Sequence, residues 1–412
     1  MDVVKTDKKV LIKWFITIAI AVIAQISIPA NEVITPQIKT YIVITLLGIC
    51  IMAFELLPDF IIGLALPLSY VLTGVTTMAV AFSPWLQTTT VLIVSILLMA
   101  KVFDEIGLLK RVGYWCVWKC GGTLYGAVWG VFFASVAISI ATFANGTVIA
   151  AALAYTICKA LDLKPSKESG MLMVAVILGS LTSRFFLYCP VNVGVLNAAT
   201  QTVVPDFNLN WMELVGHNVP TVIFVFGFMW IYLKVMKAKE SKLSIGKDLF
   251  KEKYKDLGPI TVAEKKATVL FILVMIYALL QPIHKLDMAY GFAILVMVFY
   301  LPGINIGSQS AIQSIPFGIV FILVACLAIG TVATSLGIVA ILTTYLVPII
   351  SAFSPKVALL ATMIFGGIAN FVLTPFAMTA TLPAPVSSVC LAMGWDVRPF
   401  IYAVYLSTDI VF

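Results

Sequence analysis

Apolar residues fill this chain in long blocks, and the polar positions collect in the short gaps between them. A helix needs about 20 apolar residues to cross a bilayer, whereas a transmembrane β-strand alternates over ~10. The blocks here are of the first kind. They predict spans at 11–28, 41–57, 60–82 (bent at Pro67 and Gly74) and 86–100. The run 121–161 has cations at both ends, Lys119 before it and Lys164 and Lys167 after it, which puts both ends on one face. It goes in and comes back, either as a re-entrant hairpin with Asn145 at the tip or as two full spans. Residues 169–198 read as a crossing broken between Leu178 and Gly194, where glycine, proline and hydroxyls are too frequent for a plain helix. After 214–233 come blocks at 269–281, 288–301 and 316–350, a second hairpin candidate at 358–391, and a last block at 401–412.

Composition strengthens the membrane reading. The chain is 61% hydrophobic and 11% charged, against about 25% charged in soluble domains. Its 412 residues therefore count spans, on the order of ten with their connections. The net charge of +7 is localised: 234–266 holds ten lysines against five acids. A lysine-rich loop between apolar blocks marks the cytoplasmic face. This is no nucleic-acid signal, and the basic N-terminus is expected on the same side of a plasma (inner) membrane. The first block lacks a small-x-small cleavage site and reads as an uncleaved span. Seven cysteines show no zinc or redox spacing. Nothing offers a nucleotide-binding loop, a nucleophile–base pair or a metal cluster, so an enzyme and an ATP-driven pump both lack support.

The residues best able to hold an ion lie between Thr142 and Thr147, around Asn145. A backbone turning at Asn145-Gly146 would free carbonyls and amides at membrane depth, tolerated only where they line a cavity or are buried in protein. Ion-coupled carriers build midplane sites this way. A kinked helix or a plain loop fits the same residues. Arg184 stands inside the broken span, where a cation costs a few kcal/mol or more and by default marks function. It could hold a substrate carboxylate; it could equally pair with Asp409 or snorkel to the interface.

Comparison of the halves gives a faint repeat at an offset of about 230 residues. Ile106-Gly107-Leu108 matches Leu336-Gly337-Ile338. Ala160-Leu161-Asp162-Leu163, with Pro165 beyond, matches Ala392-Met393-Gly394-Trp395, with Pro399 beyond. The same offset lays Ala144-Asn145-Gly146 on Pro375-Phe376-Ala377, flanked by Thr374, Thr379 and Thr381. An odd number of crossings between equivalent points would invert the halves, as in secondary carriers. The division expected is a tail and first span at 1–40, a first repeat at 41–235, a cytoplasmic linker at 236–266, and a second repeat at 267–412. That second repeat is incomplete, which reads as a truncated C-terminus.

From about residue 57 onward the chain resembles the divalent anion:sodium symporters, carriers of dicarboxylates, citrate or sulfate. The likeness is strongest at 97–109, 137–153, 179–194 and 374–399. It implies a homodimer, with a scaffold domain and a transport domain. In the latter, two hairpins each carry Ser-Asn-Thr at the tip and two spans unwind opposite them. Sodium sits at each tip and the anion bridges both. Residue by residue, the first motif becomes Ala144-Asn145-Gly146, keeping the Asn, with Thr147 and Ser139 nearby. The second becomes Pro375-Phe376-Ala377 or, one turn on, Met378-Thr379-Ala380. The first unwound segment resembles 180–192, where Pro190 and Asn192 match a Pro-Pro-Asn pattern. The second falls near Ser407-Thr408-Asp409.

The expectation is thus an all-α integral membrane protein, an inverted-repeat secondary transporter with two re-entrant hairpins, broken helices and about ten membrane segments. Sodium ions would be held by Ser139, Asn145, Ser180, Thr182 and Ser183. A small divalent anion would lie among Asn145, Gly146, Thr147, Thr374, Thr379, Arg184 and Pro190, moved by an elevator-type mechanism. The alternatives are a non-transporting paralogue acting as membrane sensor or scaffold, and a proton-coupled carrier. Sodium is the one cofactor implied, and the anion, the bilayer and a second copy are the partners.

Overall fold

A computed structural model describes residues 8–143, 147–160, 163–186, 190–240, 247–370 and 375–408. Among the described residues every regular element is a helix. The first stretch holds α1 (Lys8–Ser27), α2 (Pro36–Ala53), α3 (Asp59–Leu72) and the short α4 (Met78–Ala81). After a 3-10 turn at Ser83–Leu86 come α5 (Thr88–Glu105), α6 (Leu108–Cys120), α7 (Leu124–Ala141) and α8 (Thr147–Ala160). Then follow α9 (Lys167–Phe186), α10 (Pro190–Gln201), α11 (Trp211–Val235), α12 (Lys247–Asp256), α13 (Val262–Leu279) and α14 (Gln281–His284). The remainder is α15 (Met288–Phe299), α16 (Gln309–Gln313), α17 (Phe317–Ser335), α18 (Ile338–Ile350), α19 (Pro355–Ala369), α20 (Pro375–Thr381), α21 (Pro383–Ala392) and α22 (Val397–Thr408).

Five of these, α1, α2, α7, α11 and α17, are long and apolar enough to cross a membrane by length and composition. Several predicted spans divide instead. The block 60–82 ends its helix at Leu72, because Gly74 takes φ 72°, a left-handed conformation that stops a helix rather than bending it. The block 316–350 splits likewise at Gly337, φ 73°. Gly107, which the sequence comparison of the halves lays on Gly337, has φ 83° between α5 and α6. Both glycines cap helices of 13 residues, Leu108–Cys120 and Ile338–Ile350, so the matched sequences share their local geometry.

The chain divides into two compact units, and each draws on residues from both sides of the lysine-rich linker. The first comprises 1–90, 191–209 and 316–412; within it α17 packs on α3 and α20, and α19 on α22. Close contact of α3 with α17 needs Gly63, whose missing Cβ would stand 2.5 Å from the Phe321 backbone carbonyl carbon. A buried polar network crosses the same layer. The Tyr41 hydroxyl donates to the Ile329 carbonyl at 2.9 Å, and Thr45 Oγ1 lies 2.8 Å from the Tyr70 hydroxyl.

The second unit comprises 91–190 and 210–315. Its core is built where α7 packs between α6 and α9, with Val128, Val131, Phe132, Ala175 and Met229 all buried. The lysine-rich linker is partly folded into this unit. α12 lays Phe250 and Tyr254 against Tyr114 and Trp118 of α6, and Arg111 fastens the stretch between α12 and α13. The Arg111 Nε donates to Glu264 Oε1 at 2.7 Å, Nη1 to the Gly258 carbonyl at 2.9 Å, and Nη2 to Leu257 at 3.2 Å. Glu264 also closes a capping box with Thr261 at the start of α13. The loop 302–313, which has no cation of its own, receives Lys266, whose ammonium donates to the carbonyls of Gly303 and Ile304. On the same loop the Ser308 and Ser310 hydroxyls donate to Glu105 and hold its carboxyl below the usual carboxylate range.

Candidate functional site

The run 121–161 breaks where its polar residues sit. Thr142 caps α7, and Phe143 then takes a left-handed backbone with φ 49°. For a bulky L-residue this costs about 1–2 kcal/mol, so the surroundings must hold it. The Phe143 ring is buried and meets Phe292 edge-on, 4.7 Å between centroids, and Phe271 at 6.0 Å. That burial offsets the strain and fixes the direction in which the chain leaves α7 before α8 begins at Thr147. The two helices pack on each other and on α6 and α9. Thr147 is partly exposed in the first turn of α8; Asn145 and Gly146 lie outside the described residues.

One to two turns before the break, three buried hydroxyls meet. Ser135 and Ser139, four apart, share a face of α7, and Ser180 comes from α9. Ser135 Oγ donates to the Val176 carbonyl at 2.8 Å and lies 3.0 Å from Ser180 Oγ. Ser139 Oγ donates to Ser180 Oγ at 3.4 Å. Ser135 thus gives its proton to the backbone, and Ser180 accepts from Ser139 while lying in contact with Ser135. The chain of hydroxyls is reachable because of Gly179: a Cβ there would stand 2.6 Å from the Phe132 carbonyl oxygen and 2.7 Å from Ser135 Cβ. Small residues that let backbones approach, with hydroxyls bonding across, are the usual cement of helices in a bilayer. Neutral oxygens of this kind also suit a hard monovalent cation better than a transition metal. Among the described residues, no group of three or more His, Cys, Asp or Glu could hold a metal ion.

The sequence predicts an unwound segment at 180–192. Instead α9 continues through Phe186 and α10 starts at Pro190. Thr182 donates its hydroxyl to the Leu178 carbonyl one turn back at 2.8 Å, satisfying itself along the helix. No glycine or proline falls between 180 and 186 to end it. Ser180, Thr182, Ser183 and Arg184 therefore stand on helical backbone, although the side chains of Ser183 and Arg184 lie outside the described residues. The interval 187–189 between the helices lies outside them too. Pro190 takes the first helical position of α10, where its missing N–H costs nothing; its side chain is likewise not described.

In the second half, Thr374 lies outside the described residues, and Thr379 is fully buried within α20. Neither Pro375-Phe376-Ala377 nor Met378-Thr379-Ala380 makes a helix break, since α20 spans both. The side chain that does stand at a helix end is one the sequence pattern did not single out, Asn370. It closes α19, is buried, and donates Nδ2 to the carbonyls of Thr408 at 3.0 Å and Ser407 at 3.4 Å. Among the described residues its Oδ1, which is buried, accepts no hydrogen bond. An orphaned buried carbonyl costs about 1–3 kcal/mol, so it calls for a partner. Gly366 makes room for this contact, because a Cβ there would collide with Ser407. A signal existed in Ile368-Ala369-Asn370, which repeats the Phe143-Ala144-Asn145 order of an Asn after alanine at the end of an aliphatic run.

A family model described as the sodium:sulfate symporter transmembrane region matches residues 8–410. A search of curated proteins found no match.

Proposed function

Since the chain belongs to the sodium:sulfate symporter family, we propose that it is a secondary carrier using the sodium gradient to take up a small divalent anion, sulfate or a C4-dicarboxylate or citrate. The observation that carries this reading is the helix break at Thr142–Phe143, held by buried rings and set one turn after Ser139 and two after Ser135, whose hydroxyls meet that of Ser180. One sodium ion is assigned to Asn145 with Ser139 and oxygens of the Ser180–Thr182–Ser183 turn. A second is assigned to Asn370 Oδ1 and the last carbonyls of α22, where the helix dipole is negative and the carbonyls of Ser407 and Thr408 already converge. Anion-binding residues are assigned to Asn145, Gly146 and Thr147 in the first half and, as their counterparts in the repeat, to Thr374 and Thr379 in the second. Arg184 supplies the counter-charge and Pro190 shapes the edge of the site. The matched geometry at Gly107 and Gly337 supports an internal repeat; on this reading the repeat is inverted, with two re-entrant hairpins, in a homodimer whose transport parts move like elevators.

Purified protein in liposomes should accumulate labelled sulfate, succinate or citrate under an inward sodium gradient, and Asn145→Ala should reduce uptake to that of empty liposomes. Uptake that follows a pH gradient and ignores sodium would move the coupling to protons. Binding without flux would make the chain a sensor or scaffold.

Asn370→Leu is expected to raise the sodium concentration for half-maximal uptake about tenfold, one lost charge-assisted contact, while the protein stays folded. An unchanged sodium dependence, read from initial rates, would remove Asn370 from the ion path.

A further inference from the structure

We infer that the turn leaving α11 is a binding notch for the phosphate of an anionic phospholipid. α11 ends in a Schellman motif. Lys237 takes the left-handed position, φ 51°, its N–H donating to the Lys234 carbonyl at 3.1 Å, while the Ala238 N–H donates to Leu233 at 3.0 Å. Ala238 is buried, so Lys237 and Lys239 are held outward on either side of it. Glycine is the usual residue at such a position; a lysine there keeps an ammonium where the helix ends. The resulting cavity of about 260 Å³ is lined by Tyr125 and Trp230 together with Lys234, Lys237 and Lys239. Lys234 Nζ lies 5.5 Å from the Trp230 ring centroid and Lys239 Nζ 5.0 Å from that of Tyr125. The single acid, Glu240, pairs with Lys237 at 3.4 Å in an exposed contact that contributes little.

Two features favour a lipid over a free anion. Aromatic rings beside lysines at the end of an apolar helix mark headgroup depth. Below them α11 presents an exposed apolar stripe, Ile223, Gly227, Trp230 and Ile231, leading up to Lys234. Acyl chains can lie on that stripe, which inorganic phosphate cannot use. A second copy set symmetrically on this face would bring lysines against lysines. Clusters of Lys and Arg just outside a membrane helix attract anionic lipid, with roughly a fivefold gain in binding for each charge near the surface.

The test is native mass spectrometry of the full chain equilibrated with equal phosphatidylglycerol and phosphatidylcholine. Wild type should retain phosphatidylglycerol preferentially. Lys237→Gly, which keeps the turn, should lose about fivefold, and the set Lys234→Gln, Lys237→Gly, Lys239→Gln on the order of a hundredfold. Replacing all three by arginine should preserve retention, showing that charge rather than folding is read. Millimolar inorganic phosphate should not displace the lipid. Equal phosphatidylglycerol on wild type and the triple variant would overturn the proposal. Displacement by inorganic phosphate would overturn the lipid assignment, as would a change of oligomeric mass with no change in bound lipid.

Discussion

Arg111→Ala is expected to destabilise the protein by about 3–5 kcal/mol, the usual consequence of removing one partner of a buried ion pair. The side chains of Arg111 and Glu264 are 7% and 3% exposed, so little water can replace either. Three backbone carbonyls, those of 257 to 259, lose their donor in the same step. Burial by itself would raise the Glu264 carboxyl, but the hydrogen bonds from Arg111 and the Thr261 N–H outweigh it and hold the group below its ordinary range. A lowered folded pKa contributes stability that is complete above the unfolded value, about 4.3 for Glu. That contribution is lost as pH falls through the folded value. Thermal unfolding in detergent, followed by tryptophan fluorescence, should therefore show Arg111→Ala melting far below wild type at pH 7. Arg111→Met combined with Glu264→Leu should recover part of the loss, since the charge is then absent instead of stranded, while the carbonyls of 257 to 259 and the Thr261 N–H still lack their partners. A single variant melting within a degree or two of wild type would mean the clamp carries no weight.

Gly179→Val should abolish transport while leaving a protein that reaches the membrane. The new Cβ meets the Phe132 carbonyl oxygen and Ser135 Cβ, which are backbone and near-backbone atoms without freedom to retreat. Overpacking of this kind costs about 1–3 kcal/mol, relieved only if α7 and α9 move apart. That separation stretches the Ser139–Ser180 contact, already 3.4 Å, beyond bonding distance. Uptake in liposomes should fall to background for valine and less for alanine. Normal sodium-driven flux in the valine variant would detach the serines from any role in coupling.

The range of each interaction decides how much of the molecule was legible in its sequence. Apolar blocks announced the helices, because burial in lipid or protein depends on composition over a whole turn. The break beside Asn145 was legible because its cause, a polar cluster in an apolar run, is local. Gly74 was misread as a bend, since sequence alone does not distinguish a glycine that flexes a helix from one that adopts positive φ. The unwinding expected from Ser180 is absent over 180–186 for a related reason: a hydroxyl can bond the carbonyl four residues back in its own helix, as Thr182 does to Leu178, as readily as it weakens that helix. Asn370 carried only the local signal of an Asn after Ala369, because its partners, Ser407 and Thr408, lie far along the chain. Arg111 gives no signal of its own in the sequence for the same reason, its acid lying 153 positions away.

The docking of α12 on α6 changes what the middle of the chain does. A strand of lysines between two halves invites comparison with a slack strap, whose length sets how far the halves may part. Here the strap is stitched down. Phe250, Tyr254 and the carbonyls ahead of Thr261 bind a helix that comes more than a hundred residues earlier, so a backbone severed upstream of Lys247 would leave both pieces fastened through Arg111. A cut between Asp256 and Thr261 would leave that guanidinium without the carbonyls it now binds. Continuity of the polypeptide matters at one end of this segment and is dispensable at the other.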